Sequence, residues 1–261
     1  MIQMLKEIIE YRDLTMMLTL RDLRVRYKQA AMGFLWAIFM PIVAVLAGVL
    51  IKKAMSVVSQ QALDNQGIIS ISVKVLPWTF FISSIRFSVQ SLIGNSALVT
   101  KIYFPRAVLV LSSILACLFD FSIAVAVLVI LLVIFKAGVS VYLVWLPLLL
   151  ASLILFTVGL GLLLSAANLF YRDIKYVVEI ILMFGIFFTP VFYSVETFGK
   201  LKPFMLLNPL GSILEQINKV VVLHQMPDMF WMTYAALASL ATCIIGMIIF
   251  HATEPYFAEN I

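Results

Sequence analysis

The sequence predicts an all-α integral membrane protein with six transmembrane helices and an N-terminal amphipathic interfacial helix, and three observations carry that prediction. Of the 261 residues, 64% are apolar and only 12% charged, 18 basic and 13 acidic; a soluble domain of this length carries about 65 charges. Apolar runs of about 18 residues or more, each long enough to cross the hydrocarbon core as a helix, recur along the chain. Every arginine outside those runs falls on the same side of the resulting topology. This composition excludes a secreted or cytosolic globular enzyme. Two cysteines, Cys117 and Cys243, both inside apolar runs, exclude a disulfide scaffold. The net charge of +5 reflects the basic bias of membrane-flanking segments and does not point to nucleic acid.

The first span, 34–51, contains no charge. The second, about 75–97, is the least apolar, with Arg86 and several hydroxyls. The third, 107–135, is interrupted only by Asp120. From Ala137 to Tyr171 no charge occurs, which suits either one long tilted helix or a helix preceded by an interfacial segment ending near Pro147. A fifth span runs from about Tyr176 to Val195 and a sixth from about Met229 to Phe250. With the N-terminus inside, ten basic residues fall on the cytoplasmic side and seven on the other, and the outer seven, Lys74 among them, are all lysines. The first 30 residues are too charged for a secretory signal. The expected organisation is a cytoplasmic N-terminal segment over 1–31, a six-span domain over 32–254 and a cytoplasmic tail over 255–261.

Ahead of the first span, Met16, Leu20, Leu23, Tyr27 and Phe34 recur at helical spacing, with Ala30 and Ala31 beside the line and Arg21, Arg24, Arg26 and Lys28 off it. This is a basic amphipathic helix in the inner interface, serving as a lipid anchor, a docking surface for a cytoplasmic partner, or both. The inner connection Val99–Arg106 places Ile102, Tyr103 and Phe104 in a short loop, where they sit in the headgroup belt or beneath a partner. In the outer segment 196–228, Asn208-Pro209 reads as an N-cap and first helical residue. Leu210, Ile213, Leu214, Ile217, Val220 and Val221 then form an apolar face on a helix too short and polar to span; it lies on the outer surface or dips back into the protein.

Ionisable residues at membrane depth need partners. Arg86 lies before the inner end of span two and Asp120 a similar distance after the inner start of span three, so the two are expected to pair near mid-membrane. Glu179, four residues after Lys175, is expected to form a local helix pair. Phe184, Phe188 and Phe192 follow at four-residue spacing, and Trp36 and Phe39 sit early in span one; these aromatics either pack against lipid or offer faces on which sugars stack. Catalytic signatures are missing: no phosphate loop, and no metal-ligand spacing around His224 or His251. Uphill transport by such a chain requires ion coupling or a separate engine.

Several segments carry a resemblance. Leu20–Gln29, Met32–Ala37 with Pro41, Lys101–Arg106, Asn168–Ile174, Thr189–Tyr193, Asn208–Leu210 and the ending Glu254–Ile261 together, in order, resemble the ABC-2 (type V exporter-like) permeases that export O-antigen, capsule or teichoic acid. The resemblance implies a homodimer paired with two ABC ATPase subunits, with ATP and Mg on those subunits and no cofactor in this chain. It further implies short re-entrant helices after span five that gate the outer mouth, where Asn208 and Pro209 stand. The ATPase would grip Arg24 and Tyr27 of the amphipathic helix and the loop Lys101, Ile102, Tyr103, Phe104, Pro105 and Arg106. The cargo implied is a polyprenyl-linked glycan, O-antigen foremost, moved across the cytoplasmic (inner) membrane through a channel at the homodimer interface, with membrane lipid around it and both termini cytoplasmic. A permease for a drug or small lipid, an ion-coupled carrier using Arg86 and Asp120, and a polyprenyl-sugar enzyme are the other readings.

Overall fold

The computed structural model describes residues 6–7, 9–28, 32–59, 65–102, 104–136 and 138–260. Ala30, Ala31 and Tyr103, assigned above to the amphipathic line and the inner loop, lie outside the described residues. Among those described there is no strand. The main helices are α1 (Arg12–Lys28), α2 (Leu35–Ser59), α3 (Asn65–Gly94), α4 (Ser96–Lys101), α5 (Ala107–Ile134), α6 (Leu146–Phe170), α7 (Ile174–Phe188), α8 (Lys202–Leu206), α9 (Pro209–Val221), α10 (Met229–Thr253) and α11 (Phe257–Asn260).

Among the described residues, five helical stretches are long and apolar enough to cross a membrane: those of α2, α3, α5, α6 and α10. The fifth span expected from sequence is shorter than its apolar run. Its helix α7 has 15 residues, about 22 Å at 1.5 Å per residue, against a hydrocarbon core of about 30 Å. The run ends early because Thr189-Pro190 breaks it: Thr189 is extended, and turns follow. Within 137–171, Val141–Phe170 forms one continuous helical stretch of 30 residues. A tight turn at Val141–Trp145, capped by the Ser140 hydroxyl on the Tyr142 amide, precedes a helix with Pro147 in its first turn.

The second span also differs from expectation. α3 begins at Asn65, ten residues earlier than the apolar run alone suggests, and carries Pro77 inside it. Lys74, assigned above to an outer segment, is therefore inside this helix and only 2% exposed. α3 is the most deeply buried of the five long helices and packs against α2, α5 and α6. α6 packs most extensively on α10. The two approach at glycines: a Cβ on Gly159 would meet the Thr242 carbonyl at 2.6 Å, and one on Gly246 would collide with the Gly159 carbonyl. Small residues let backbones approach where lipid supplies no hydrophobic drive between helices.

α1 packs along α5. Its protein-facing residues are Thr15, Leu18 and Thr19, whereas Met16 and Leu20 of the expected apolar line are exposed. α9 is buried on its polar side as well as its apolar one, with Glu215, Gln216 and Asn218 all enclosed. It is packed among α3, α6 and α10. Of the two placements the sequence left open for this segment, enclosure by protein is the one observed.

Candidate functional site

At one end of the helix bundle, the loop after α4 is closed by the residues that follow α10. Phe104 is 5% exposed and Pro105 is buried, so the covering that an apolar loop demands comes from this protein itself. The backbone N–H of Arg106 donates to Glu254 Oε1 at 2.7 Å, and its guanidinium reaches the Glu254 carbonyl at 3.5 Å. Glu254 also faces His251 Nδ1 at 3.7 Å. Beyond it, Phe257 packs edge-on against Phe250 and Phe170, so the tail is docked beneath α6 and α10. A shallow cavity of about 440 Å³ beside this junction is lined by Tyr11, Phe104, Arg106, His251 and Glu254. Of the residues expected to meet an ATPase, Arg24, Lys101 and Ile102 are exposed. Phe104, Pro105 and Arg106 instead pack inward as the base of the loop.

Tyr27 also turns inward. Its hydroxyl donates to Asp120 Oδ1 at 2.6 Å, and Arg26 donates to Asp120 Oδ2 at 2.8 Å. Burial, and then the hydrogen bond to that carboxylate, pushes the Tyr27 phenol above its ordinary value, so it remains a donor. The Arg26 guanidinium lies 3.8 Å from the centre of the Phe87 ring. Asp120 is thus the anchor of the last turn of α1.

The expected Arg86–Asp120 pair is not formed. Arg86 makes a bidentate pair with Glu179, both bonds at 2.7 Å, which also displaces the expected Lys175–Glu179 contact. Matching depth along two helices leaves the rotation of each helix open. Here Asp120 points toward α1 and Arg86 toward α7, though both line one groove of about 570 Å³ with Trp36, Pro41 and Phe87. Phe39 packs edge-on against Trp36, with ring centres 5.6 Å apart. Phe184 and Phe188 are exposed on α7 and border an apolar groove of about 600 Å³ against Trp78, Phe81 and Phe156. Phe192 is half-buried against the core.

Toward the other end of α3, Lys74 Nζ donates to the Tyr193 carbonyl at 2.8 Å and lies 3.6 Å from Glu215 Oε2. The two side chains are 2% and 5% exposed. A single buried ion pair therefore ties α3, α9 and the turn after α7. Nearby, Asn208 caps α9 by accepting from the Leu210 amide and donates to the Thr189 hydroxyl at 3.0 Å, which fixes the start of α9 to the end of α7. Sequence reasoning missed Lys74–Glu215 and Arg106–Glu254. The available signals were a lysine flanked by apolar residues on both sides and a carboxylate just past the last span.

The architecture agrees with comparisons to known proteins. The family model described as ABC-2 type transporter matches residues 13–222. The O-antigen export system permease protein RfbA of Myxococcus xanthus is 28% identical over 264 residues, covering 100% of both chains. Two proteins of the same description from Klebsiella pneumoniae are each 27% identical over 249 residues, 95% of this chain and 94% of theirs. With a family model spanning most of a chain that has several membrane-length helices, the protein belongs to the ABC-2 type transporter family, as a multi-pass membrane subunit that works with an ABC ATPase and is not itself an enzyme.

Proposed function

We propose that this chain is the permease of an exporter that moves a lipid-linked polysaccharide, O-antigen foremost, out across the cytoplasmic membrane. The observation that carries this is the similarity, running the full length of the chain, to proteins described as O-antigen export permeases. Two copies form the transmembrane channel, residues 32–254 of each supplying the spans, with 1–31 and 255–261 on the cytoplasmic side beside two ATPase subunits.

A polymer is too long to be enclosed between two gates, so the path has to be continuous while ATP hydrolysis advances the chain. The inner end supplies a means of transmission. Arg24, Lys101 and Ile102 offer the surface the ATPase contacts, and the buried Phe104–Arg106 base, fastened by Glu254, carries the motion into α5 and α10 as a rigid unit. At the outer end α9 forms the gate, with Asn208 and Pro209 fixing its start. Trp36, Phe39, Phe184, Phe188 and Phe192 provide aromatic faces on which sugar rings stack without strict sequence preference.

The test is co-expression with a candidate ABC ATPase and reconstitution of the purified complex. Hydrolysis stimulated by a polyprenyl-linked glycan, with glycan appearing on the far side of the vesicle, is the expected result. A chain that purifies without an ATPase and carries out proton-dependent flux overturns the proposal.

A further inference from the structure

Beside the second half of α5, away from the Arg106–Glu254 junction, α5 and α6 border a groove of about 460 Å³. Its floor is buried and comes from Pro77 of α3 and from Ile217 and Val221 of α9. Its walls include the half-buried Leu128 and Leu132 of α5 and Leu146 of α6. The α5 residues along it run from Phe121 to Val133, about 18 Å of helix, so the groove is drawn out along the helix axis. Of all the side chains that line it, Lys136 alone is polar or charged. Lys136 is exposed, two residues past the end of α5 at Ile134, where a positive φ of 51° turns the chain off the helix. Among the described residues it forms no ion pair.

Neither water nor empty space suits such a groove. An enclosed water needs about two to four polar partners, and these walls offer none beyond one ammonium at the end. An empty space forfeits the dispersion contacts of every side chain around it. Val129, Val133 and Val139 at the rim are exposed and apolar, so the groove opens toward the hydrocarbon of the bilayer. An occupant entering from that side is an apolar chain. The unpaired cation at the end of the groove selects a chain that carries an anion at one end, and a lysine stem lets its ammonium reach headgroup level while its methylenes stay in apolar surroundings.

We infer that this groove binds one chain of an anionic phospholipid, with the Lys136 ammonium donating to the lipid phosphate. An anionic headgroup is preferred to a zwitterionic one because the amine of the latter offsets the phosphate charge that Lys136 attracts. Residues of α3, α5, α6 and α9 all contribute to the groove, so the site is complete only where these four helices are packed together. It is a lipid site on the outside of the helix bundle and does not depend on the export reading given above.

The experiment uses the complete ATPase-bound complex, purified in detergent and incubated with equal amounts of phosphatidylglycerol and phosphatidylcholine, with the retained lipid identified and counted by native mass spectrometry. The wild-type complex is expected to keep phosphatidylglycerol in preference. Lys136→Gln should keep the two lipids in equal amounts, and Leu146→Trp, which fills the groove, should keep less of both. Lys200→Gln, which removes an exposed lysine outside the groove, is the control and should match the wild type. The absence of a preference in the wild type, an unchanged preference in Lys136→Gln, or an equal loss of preference in Lys200→Gln overturns the assignment. Displacement of phosphatidylglycerol by an equal amount of polyprenyl phosphate also overturns it, because the groove then belongs to an isoprenoid carrier. Lys136→Gln changes only an exposed side chain and decides the question even if Leu146→Trp fails to assemble. The measurement needs neither glycan nor ATP hydrolysis, so its failure leaves the export proposal standing and the failure of that proposal leaves this one.

Discussion

The backbone amide of Arg106, at the head of α5, is held at 2.7 Å by the carboxylate of Glu254, 148 residues later in the chain. Through this bond the end of α10 clamps the loop between α4 and α5, and the docked Phe257 keeps the clamp closed.

Glu254→Ala should therefore loosen the loop between α4 and α5 without unfolding the helices it joins. Leaving a part-buried amide unpaired costs about 1–3 kcal/mol. The expected result is normal membrane insertion with export reduced and ATP hydrolysis no longer tied to it, measured on the reconstituted complex. Export at the wild-type rate argues against a coupling role for the clamp.

Asp120 holds both Arg26 and Tyr27. Asp120→Asn retains the size of the side chain and removes the charge, and hydrogen bonds to charged groups are worth about 1.5–3 kcal/mol. The last turn of α1 should detach more readily, seen as faster trypsin cleavage at Arg24 and Lys28 in inverted vesicles. Tyr27→Phe, which leaves the Arg26 pair in place, should have the smaller effect; the reverse order excludes the ion pair as the main tie.

Lys74 and Glu215 are an enclosed pair. Removing one partner leaves a buried charge and costs about 3–5 kcal/mol, whereas replacing both with apolar residues is often tolerated. Lys74→Met and Glu215→Leu should each lower the thermal midpoint in detergent, and the double variant should lose less than the two losses combined. Strict additivity would mean that the two side chains do not interact.

The α6–α10 contact rests on absent side chains. Gly159→Leu places atoms where the Thr242 backbone already lies, and the helices must separate. Folded protein recovered from membranes should fall sharply. Gly94→Leu, at a position with open space around it, is the matched control and should express normally.

Much of this could be read from the residues in order. The apolar runs located the helices now seen as α2, α5, α6 and α10, the Asn208-Pro209 pair marked the start of α9, and the spaced family segments named the transporter class before any packing was known. Errors arose where one dimension of information stood in for three. Arg86 and Asp120 were matched by depth, which says nothing about the direction each helix turns its side chains, so both found other partners. The apolar run of the second span begins at about residue 75, which leaves Lys74 outside, whereas α3 starts at Asn65 and a buried carboxylate from α9 accompanies Lys74 within it. Headgroups and a partner are the two covers a local reading offers Phe104, whereas Glu254 and the residues after it supply a third.

The sequence by itself determined the apolar surroundings and most of the long helices, because these follow from local composition and spacing. Only the tertiary structure decided which charges meet, which loop face is open to a partner and which helical side is polar. Those depend on the rotation and close approach of segments far apart in the chain. Arg106 and Glu254, or Arg86 and Glu179, are assigned to each other by packing alone, since no local pattern connects them.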